Sequence, residues 1–340
     1  MKKVIIIAEA GVNHNGEIDK AFQLIDAAAE AKADFVKFQT FKPEKLVNSM
    51  AKKAIYQKKN TNDNGDTQFE MLRDLEIPDD WYPKLIERCR IKNIGFLSTG
   101  FDNDSVDLLS KFNMPFYKIP SGEITNKPYL KHVAKKSKKI ILSTGMATLE
   151  EVKAALEVII NEGVTKNNVT ILHCNTEYPT PMNDVNLLAM NQIGKELQVD
   201  VGYSDHTLGI EVSIAAVALG AKVIEKHFTI DRTLPGPDHA ASLEPNELSE
   251  MVLAIRNIEK AISGSGVKQP SRSEQKNIVL ARKSIHSNKI LEEGHVIKED
   301  DLILLRPGNG LSPMEIEKII GKKVVKKINK LEMIKKINIE

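Results

Sequence analysis

Lys139-Ile-Ile-Leu-Ser-Thr-Gly-Met-Ala-Thr-Leu-Glu-Glu151 is the stretch on which the fold turns. Its apolar run shows no alternation with polar residues, so it reads as a strand buried on both faces. Thr148 with Glu151 three residues on is a capping-box pattern; helical periodicity then runs to Asn161, and Gly163 suits the helix end. The same unit recurs along the chain: a short apolar strand ending in Gly or polar residues, then an amphipathic helix. Strands are expected at 4–11, 35–41, 95–101, 116–123, 139–146, 169–179, 199–207 and 222–230. Helices are expected between them and after the last, at 18–32, 81–92, 105–112, 128–136, 149–161, 186–195, 210–219 and 245–262. Eight β/α units in a row specify an α/β protein with a closed (β/α)8 TIM barrel over 1–263. An open doubly wound sheet is the competitor, but no GxGxxG follows the first strand.

Two regions depart from the repeat. Residues 42–79 are too long for an ordinary βα turn, which marks a lid or binding loop; Lys58-Lys-Asn-Thr-Asn-Asp-Asn-Gly-Asp66 within it also has the composition of a disordered insert. After the eighth helix, Ser263-Gly-Ser-Gly266 opens a polar linker, taken as 264–281, and 282–340 reads as a second, small domain. That domain carries 13 Lys/Arg against 9 Asp/Glu, with the excess in a helix-like stretch from Lys322 onward. The whole chain of 340 residues is nearly neutral at +2, and aromatics are 5%, which argues against nucleic-acid binding. No apolar run approaches a membrane span, and the two cysteines, Cys89 and Cys174, form no CxxC pair. These are the features of a soluble, cytoplasmic protein with a small-molecule partner.

Barrel chemistry gathers at the C-terminal strand ends. Reactive residues collect there on nearly every expected strand: Glu9, Lys37 and Gln39, Ser98-Thr99, Lys118 with Ser121, Ser143, His173 to Tyr178, Ser204-Asp205-His206, and Glu225-Lys226-His227. Lys37 and Lys118 lie inside apolar strands and need anionic partners there. A protein carboxylate is the bland choice. With Ser121, Ser143 and Ser204 beside Gly or Asp, a bound phosphate plus carboxylate fits better. His206 and His227 end adjacent strands and can converge on one divalent cation, with Glu9 and Glu225 supplying oxygen or fixing a ring. Two His without Cys suit an open six-coordinate site for Mn2+ or Mg2+. His239 is a lesser ligand candidate. Asp238, after Pro235-Gly-Pro237, either faces the barrel mouth or merely stabilises the turn. Cys174 is discounted as a nucleophile.

The motifs Glu9-Ala-Gly-Val-Asn-His-Asn-Gly16, Lys37-Phe-Gln-Thr40, Lys118-Ile-Pro-Ser-Gly-Glu123, His173-Cys-Asn-Thr-Glu-Tyr-Pro-Thr-Pro181, Tyr203-Ser-Asp-His-Thr207, Glu225-Lys-His-Phe-Thr229 and Gly236-Pro-Asp-His239 occur in this order. With them the chain resembles the bacterial sialic acid (N-acetylneuraminate) synthases, a family that includes the legionaminic acid synthases. Arg306-Pro-Gly-Asn-Gly310 is similar to the signature of their C-terminal antifreeze-like (SAF) domain. The resemblance implies condensation of phosphoenolpyruvate with N-acetylmannosamine and water, releasing phosphate. The alternative is a 2,4-diacetamido-2,4,6-trideoxymannose acceptor, as in legionaminate synthesis.

By the same resemblance Lys37, Thr99, Lys118, Ser121, Ser143, Thr176 and Ser204 surround phosphoenolpyruvate, and His206 and His227 hold the metal. Glu9, Lys37 and Glu225 are the candidate catalytic residues, with Glu9 as base for water. Gln39, Tyr178, Asp238 and Asn60 of the long loop contact the sugar. Arg306 is expected to reach the N-acetyl group from a partner subunit, in a domain-swapped homodimer. Gly100 and Thr176 depart from the family pattern. An aldol-type lyase forming a Schiff base on Lys37 or Lys118, and a catalytically silent sugar-binding protein, are the rival readings of these residues.

Overall fold

A computed structural model of the chain describes residues 3–53, 57 and 67–340. The chain divides into two compact units, Met1–Gly264 and Ser265–Glu340.

In the first unit the eight expected strands form, all shorter than expected and β4 to β6 only about half as long, because their polar C-terminal ends turn into loops: β1 Ile5–Gly11, β2 Phe35–Thr40, β3 Gly95–Gly100, β4 Tyr117–Ile119, β5 Ile140–Ser143, β6 Val169–Cys174, β7 Asp200–Asp205 and β8 Val223–His227. They pair in parallel in the order β3-β2-β1-β8-β7-β6-β5-β4, a nearly closed TIM-like barrel. The one seam lies between β3 and β4. There the Ser98 amide donates to Met114 Sδ at 3.4 Å, and the Tyr129 hydroxyl donates to the Gly100 carbonyl.

Helices cover the outside: α1 Ile18–Glu30, α2 Pro43–Leu46, α3 Gln68–Leu75, α4 Trp81–Lys92, α5 Asn103–Leu109, α6 Lys127–Lys136, α7 Leu149–Asn161, α8 Ala189–Leu197, α9 Glu211–Ala218 and α10 Pro245–Ala261. The expected capping box at Thr148 and Glu151 starts α7. Helices α2 and α3 lie in the long second loop and were not expected. They form because Phe41, Leu46, Val47, Met71, Leu72 and Leu75 make a satellite core with Val12 and Phe101. Inside the barrel, Ile7, Leu97, Phe116, Ile141, Leu172 and Val223 plug the N-terminal end. The apolar layer stops there: two residues further along the same strands stand Glu9, Thr99, Lys118, Ser143, Cys174 and Glu225.

The second unit holds α11 Arg272–Ala281 and the antiparallel pair β9 Ser284–Ser287 and β10 Leu302–Leu305. Residues 272–281 fall in the expected linker, but Ser271 and Glu274 form a capping box that starts a helix of mostly helix-favouring residues. The lysine-rich stretch from Lys322 is not helical. Its apolar residues Val324, Ile328, Ile334 and Ile339 fall at a spacing that serves isolated antiparallel bridges, and they pack with Ile285, Leu291 and Ile297. Among the described residues no helix is long and apolar enough to cross a membrane.

Candidate active site

Parallel register decides which side chains meet. Glu9 lies level with Lys37 on β2 and His227 on β8, and Ser204 with Glu225. Period-2 alternation then sends Glu9, Lys37, Gln39, Lys118, Ser204, Glu225 and His227 to the barrel interior.

Two lysines and two glutamates form a buried cluster. Lys37 Nζ is 2.8 Å from Glu9 Oε2 and 3.5 Å from Glu225 Oε2, and it donates to Thr99 Oγ1 at 2.9 Å. Lys118 Nζ is 3.3 Å from Glu225 Oε1, which also accepts the Ser204 hydroxyl at 3.0 Å. All four charged groups are 6% exposed or less.

Burial pushes the Glu9 carboxyl up to about 7, with Lys37 only partly offsetting it. Burial also opposes charge on Glu225, yet Lys118, Lys37 and the Ser204 hydroxyl overcome it and hold that carboxyl down. The lysines divide likewise: burial lowers Lys118, whereas at Lys37 the two glutamates outweigh burial and raise it. Two buried ammonium groups thus share two carboxylates of unequal acidity, so an incoming anion would find lysine donors already gathered at one point.

The hydroxyls around it agree. Ser143 Oγ is buried without a hydrogen-bond partner among the described residues. Ser121 Oγ accepts the Gly145 amide at 2.9 Å and lies 3.2 Å from Cys174 Sγ. A Cβ on Gly145 would strike Thr176 Cγ2 at 2.5 Å, so Thr176 stands on the same rim. Cys174 is buried, with Ser121 Oγ as its hydrogen-bond neighbour.

Above the cluster, His206 and His227 face each other with ring centroids 5.5 Å apart. Tyr178 stacks on His206 at 4.1 Å, and Asp238 Oδ2 lies 3.9 Å from His227 Nδ1. His206 Nδ1 pairs with the Asn175 carbonyl, which makes it the protonated nitrogen and leaves the lone pair on Nε2, 3.5 Å from Ser204 Oγ. His227 Nδ1 is buried with no hydrogen-bond partner among the described residues. Burial lowers His206 to about 4 and His227 well below its ordinary value, so both imidazoles are neutral. A buried nitrogen without a partner on His227, and a free lone pair on His206 Nε2, on neutral rings, are what a divalent cation requires. Among the described residues no third His, Cys, Asp or Glu joins them in a metal-ligating group, so other ligands would complete the shell.

Gln39 Nε2 donates to Glu9 Oε1 at 3.3 Å. Gly11 closes β1 at φ +54, and a Cβ there would come within 3.2 Å of His227 Cε1 and 3.3 Å of Gln39 Nε2. A cavity of about 380 Å³ opens above these groups. Its lining combines Gln39, Gln57, Gln68, Glu123, Tyr178, His227 and Asp238 with the apolar Val12, Phe41, Leu46, Met71 and Phe101.

The structure thus brings together Glu9, Lys37, Gln39, Thr99, Lys118, Ser121, Ser143, Thr176, Tyr178, Ser204, His206, Glu225, His227 and Asp238. Asn60 lies outside the described residues. Arg306 belongs to the second unit, exposed just after β10. His239 is not a ligand candidate: both ring nitrogens are engaged, with Thr229 Oγ1 at 2.7 Å and Asn15 Oδ1 at 3.0 Å. The apolar cavity wall was missed by sequence reading, because its residues come from separate loops and share no period.

The chain matches known proteins along nearly its whole length. The NeuB family model matches residues 24–268 and the SAF domain model residues 282–340. The chain is 52% identical to an N,N'-diacetyllegionaminic acid synthase of Campylobacter jejuni, covering 98% of this chain and 100% of that protein. It is 48% identical to another of the same name from Legionella pneumophila, covering 94% and 90%. Among solved structures, an N-acetylneuraminic acid (sialic acid) synthetase from Leptospira borgpetersenii superposes with a TM-score of 0.69 at 34% identity, covering 82% and 90%. With a buried lysine–glutamate cluster beneath two facing histidines, and these matches along nearly its whole length, the chain belongs to the NeuB family of synthases.

Proposed function

We propose that this enzyme is an N,N'-diacetyllegionaminate synthase, joining phosphoenolpyruvate to 2,4-diacetamido-2,4,6-trideoxymannose and water with release of phosphate. The observation that carries the choice of sugar is the high identity to two legionaminic acid synthases over nearly the full chain, against 34% to the sialic acid synthetase. N-acetylmannosamine, the acceptor expected first from sequence, gives way on that ground. The apolar wall of Val12, Phe41, Leu46, Met71 and Phe101 supports the same choice. A 6-deoxy sugar with a second acetamido group offers methyls where N-acetylmannosamine has hydroxyls, and methyls are what this wall can bury.

Lys37 and Lys118, with Thr99, Ser121, Ser143, Thr176 and Ser204, would hold the phosphate and carboxylate of phosphoenolpyruvate. Its methylene carbon attacks the sugar aldehyde, forming the C–C bond. The aldehyde oxygen takes up a proton to become a hydroxyl; water adds to the cationic carbon left behind, giving one proton to Glu9, and the C–O bond to phosphate then breaks as the remaining hydroxyl proton leaves with phosphate and the ketone forms. Glu225 keeps the lysines charged and level. Gln39, Tyr178 and Asp238 would orient the sugar. A divalent cation, Mn2+ or Mg2+, held by His206 and His227 would polarise the aldehyde oxygen. The homodimer in which Arg306 reaches a partner's N-acetyl group is part of the same proposal.

Phosphate release measured with each sugar at saturating phosphoenolpyruvate tests the reading. A preference of roughly 100-fold in kcat/KM for the diacetamido sugar is expected, the size of methyl-against-hydroxyl discrimination in an apolar pocket. Equal or better turnover of N-acetylmannosamine refutes it.

A further inference from the structure

We propose that Asn13 and Asn15 of the first barrel loop, with His239 and Thr229, form a latch that positions Asp238 over the site. None of the four is offered as a substrate contact; the latch rests on the reading of Asp238 as a sugar contact.

Asp238 sits in the loop between β8 and α10, its side chain buried and 3.9 Å from His227 Nδ1. The loop's start is tied to β1 by the Phe228 amide, which donates to the Glu9 carbonyl at 3.0 Å, but the stretch around Pro235-Gly-Pro237 needs further anchors. The fixing groups come from more than 200 residues away. Asn15 Nδ2 donates to the Pro235 carbonyl at 2.9 Å, three residues before Asp238. Asn13 Nδ2 donates to the Phe228 carbonyl at 2.8 Å and to Ser242 Oγ at 3.0 Å. Ser242 in turn donates to the Asp238 carbonyl at 2.7 Å. The loop is gripped on both sides of Asp238 by one short turn.

Hydrogen-bond chemistry makes the latch directional. A carbonyl can only accept, so Pro235 fixes the Asn15 amide with Nδ2 toward it and Oδ1 toward the His239 ring. His239 Nε2 must then be the N–H donor, at 3.0 Å, and Nδ1 takes the Thr229 hydroxyl at 2.7 Å. This is one neutral tautomer with both nitrogens satisfied, in a ring that is fully buried. Asn15 adopts φ +49, a left-handed conformation that Asn tolerates better than most residues. Gly236 leaves the room: a Cβ there would lie 2.6 Å from His239 Cδ2 and 3.1 Å from Asn15 Oδ1. Since Asn13 and Asn15 follow Glu9 on the same strand and turn, the latch also ties Asp238 to the strand end that carries Glu9.

The test is a double-mutant cycle on the full-length protein, read as separate KM values for sugar and phosphoenolpyruvate. His239→Leu should raise the sugar KM roughly tenfold or more, the size of one lost buried hydrogen bond, with the phosphoenolpyruvate KM within about twofold of wild type. Placed on Asp238→Ala, it should raise the sugar KM no further, because the group it positions is gone. Thr229→Val, which removes one hydroxyl without changing shape, should repeat the pattern at smaller amplitude, and it carries the cycle if His239→Leu does not fold. His239→Gln, able to reach Asn15, should recover part of the loss. Equal rises in both KM values, or effects that multiply in the double variant, overturn the latch. Wild type is assayed first on both sugars, so a wrong sugar assignment appears there. The cycle is then run with whichever sugar wild type uses.

Discussion

Lys226 and Asp205 form an ion pair at 3.0 Å on the outward faces of β8 and β7, each with no exposed side-chain surface. Their strand neighbours His227, Ser204 and His206 point inward to the site. Asp205 accepts from the Thr207 amide at 2.9 Å and from the Thr207 and Ser213 hydroxyls, both at 2.7 Å, while Lys226 donates to the Thr207 carbonyl at 2.6 Å. Lys226→Met strands a buried carboxylate. Breaking such a pair costs about 3–5 kcal/mol, and the three donors Asp205 keeps point to the low end, about 3 kcal/mol. For a unit of this size that is a fall in Tm of roughly 6–12 °C. The single tryptophan, Trp81, lies in the barrel unit and reports its unfolding in urea or on heating. Lys226→Met with Asp205→Asn should cost less than the sum of the two single changes, since neither charge is then stranded. A loss under about 1 kcal/mol for Lys226→Met, or simple additivity, would refute the reasoning.

In the second unit Asp301 is buried, 2.6 Å from both Lys289 Nζ and His295 Nε2, and accepts the Lys298 amide at 2.9 Å. Burial opposes its charge, but these partners outweigh burial and hold its carboxyl well below the ordinary value. A depressed carboxylate stabilises above its unfolded pKa, about 3.9, and that contribution drains as pH falls through the lower folded value. Asp301→Asn should therefore cost about 1–3 kcal/mol near neutral pH and flatten the acid limb, read by hydrogen exchange of peptides from 282–340. Unchanged protection at pH 7 would contradict this. For the metal, wild type should bind Mn2+ by calorimetry without substrate, His227→Ala should not, and EDTA should abolish turnover until Mn2+ is returned. A variant that binds like wild type would remove His227 from the ligand set.

The fold was legible because its signal is local. The run 139–151 contains a whole strand, its loop and a capped helix start, and seven more units repeat the pattern. Errors fell where local pattern and packing part company. Residues 322–340 have a lysine content that suggests a helix, but their apolar residues pair across a small β-rich unit. Helices α2 and α3 exist through contacts with Val12 and Phe101 from other loops.

The site divides the same way. Which residues lie at strand ends, and which alternate inward, follows from chain order and period 2, so Glu9, Lys37, Lys118, His206, Glu225 and His227 are readable from the sequence by itself. What they do to one another is not. That Glu9 is driven toward neutrality while Glu225 stays ionised depends on burial and distances of about 3 Å to Lys37 and Lys118. The sequence could offer His239 as a ligand. Only the tertiary structure spends both its ring nitrogens on Thr229 and Asn15, because a hydrogen bond is decided by angstroms between atoms, and barrel closure alone brings residues 15 and 239 that close.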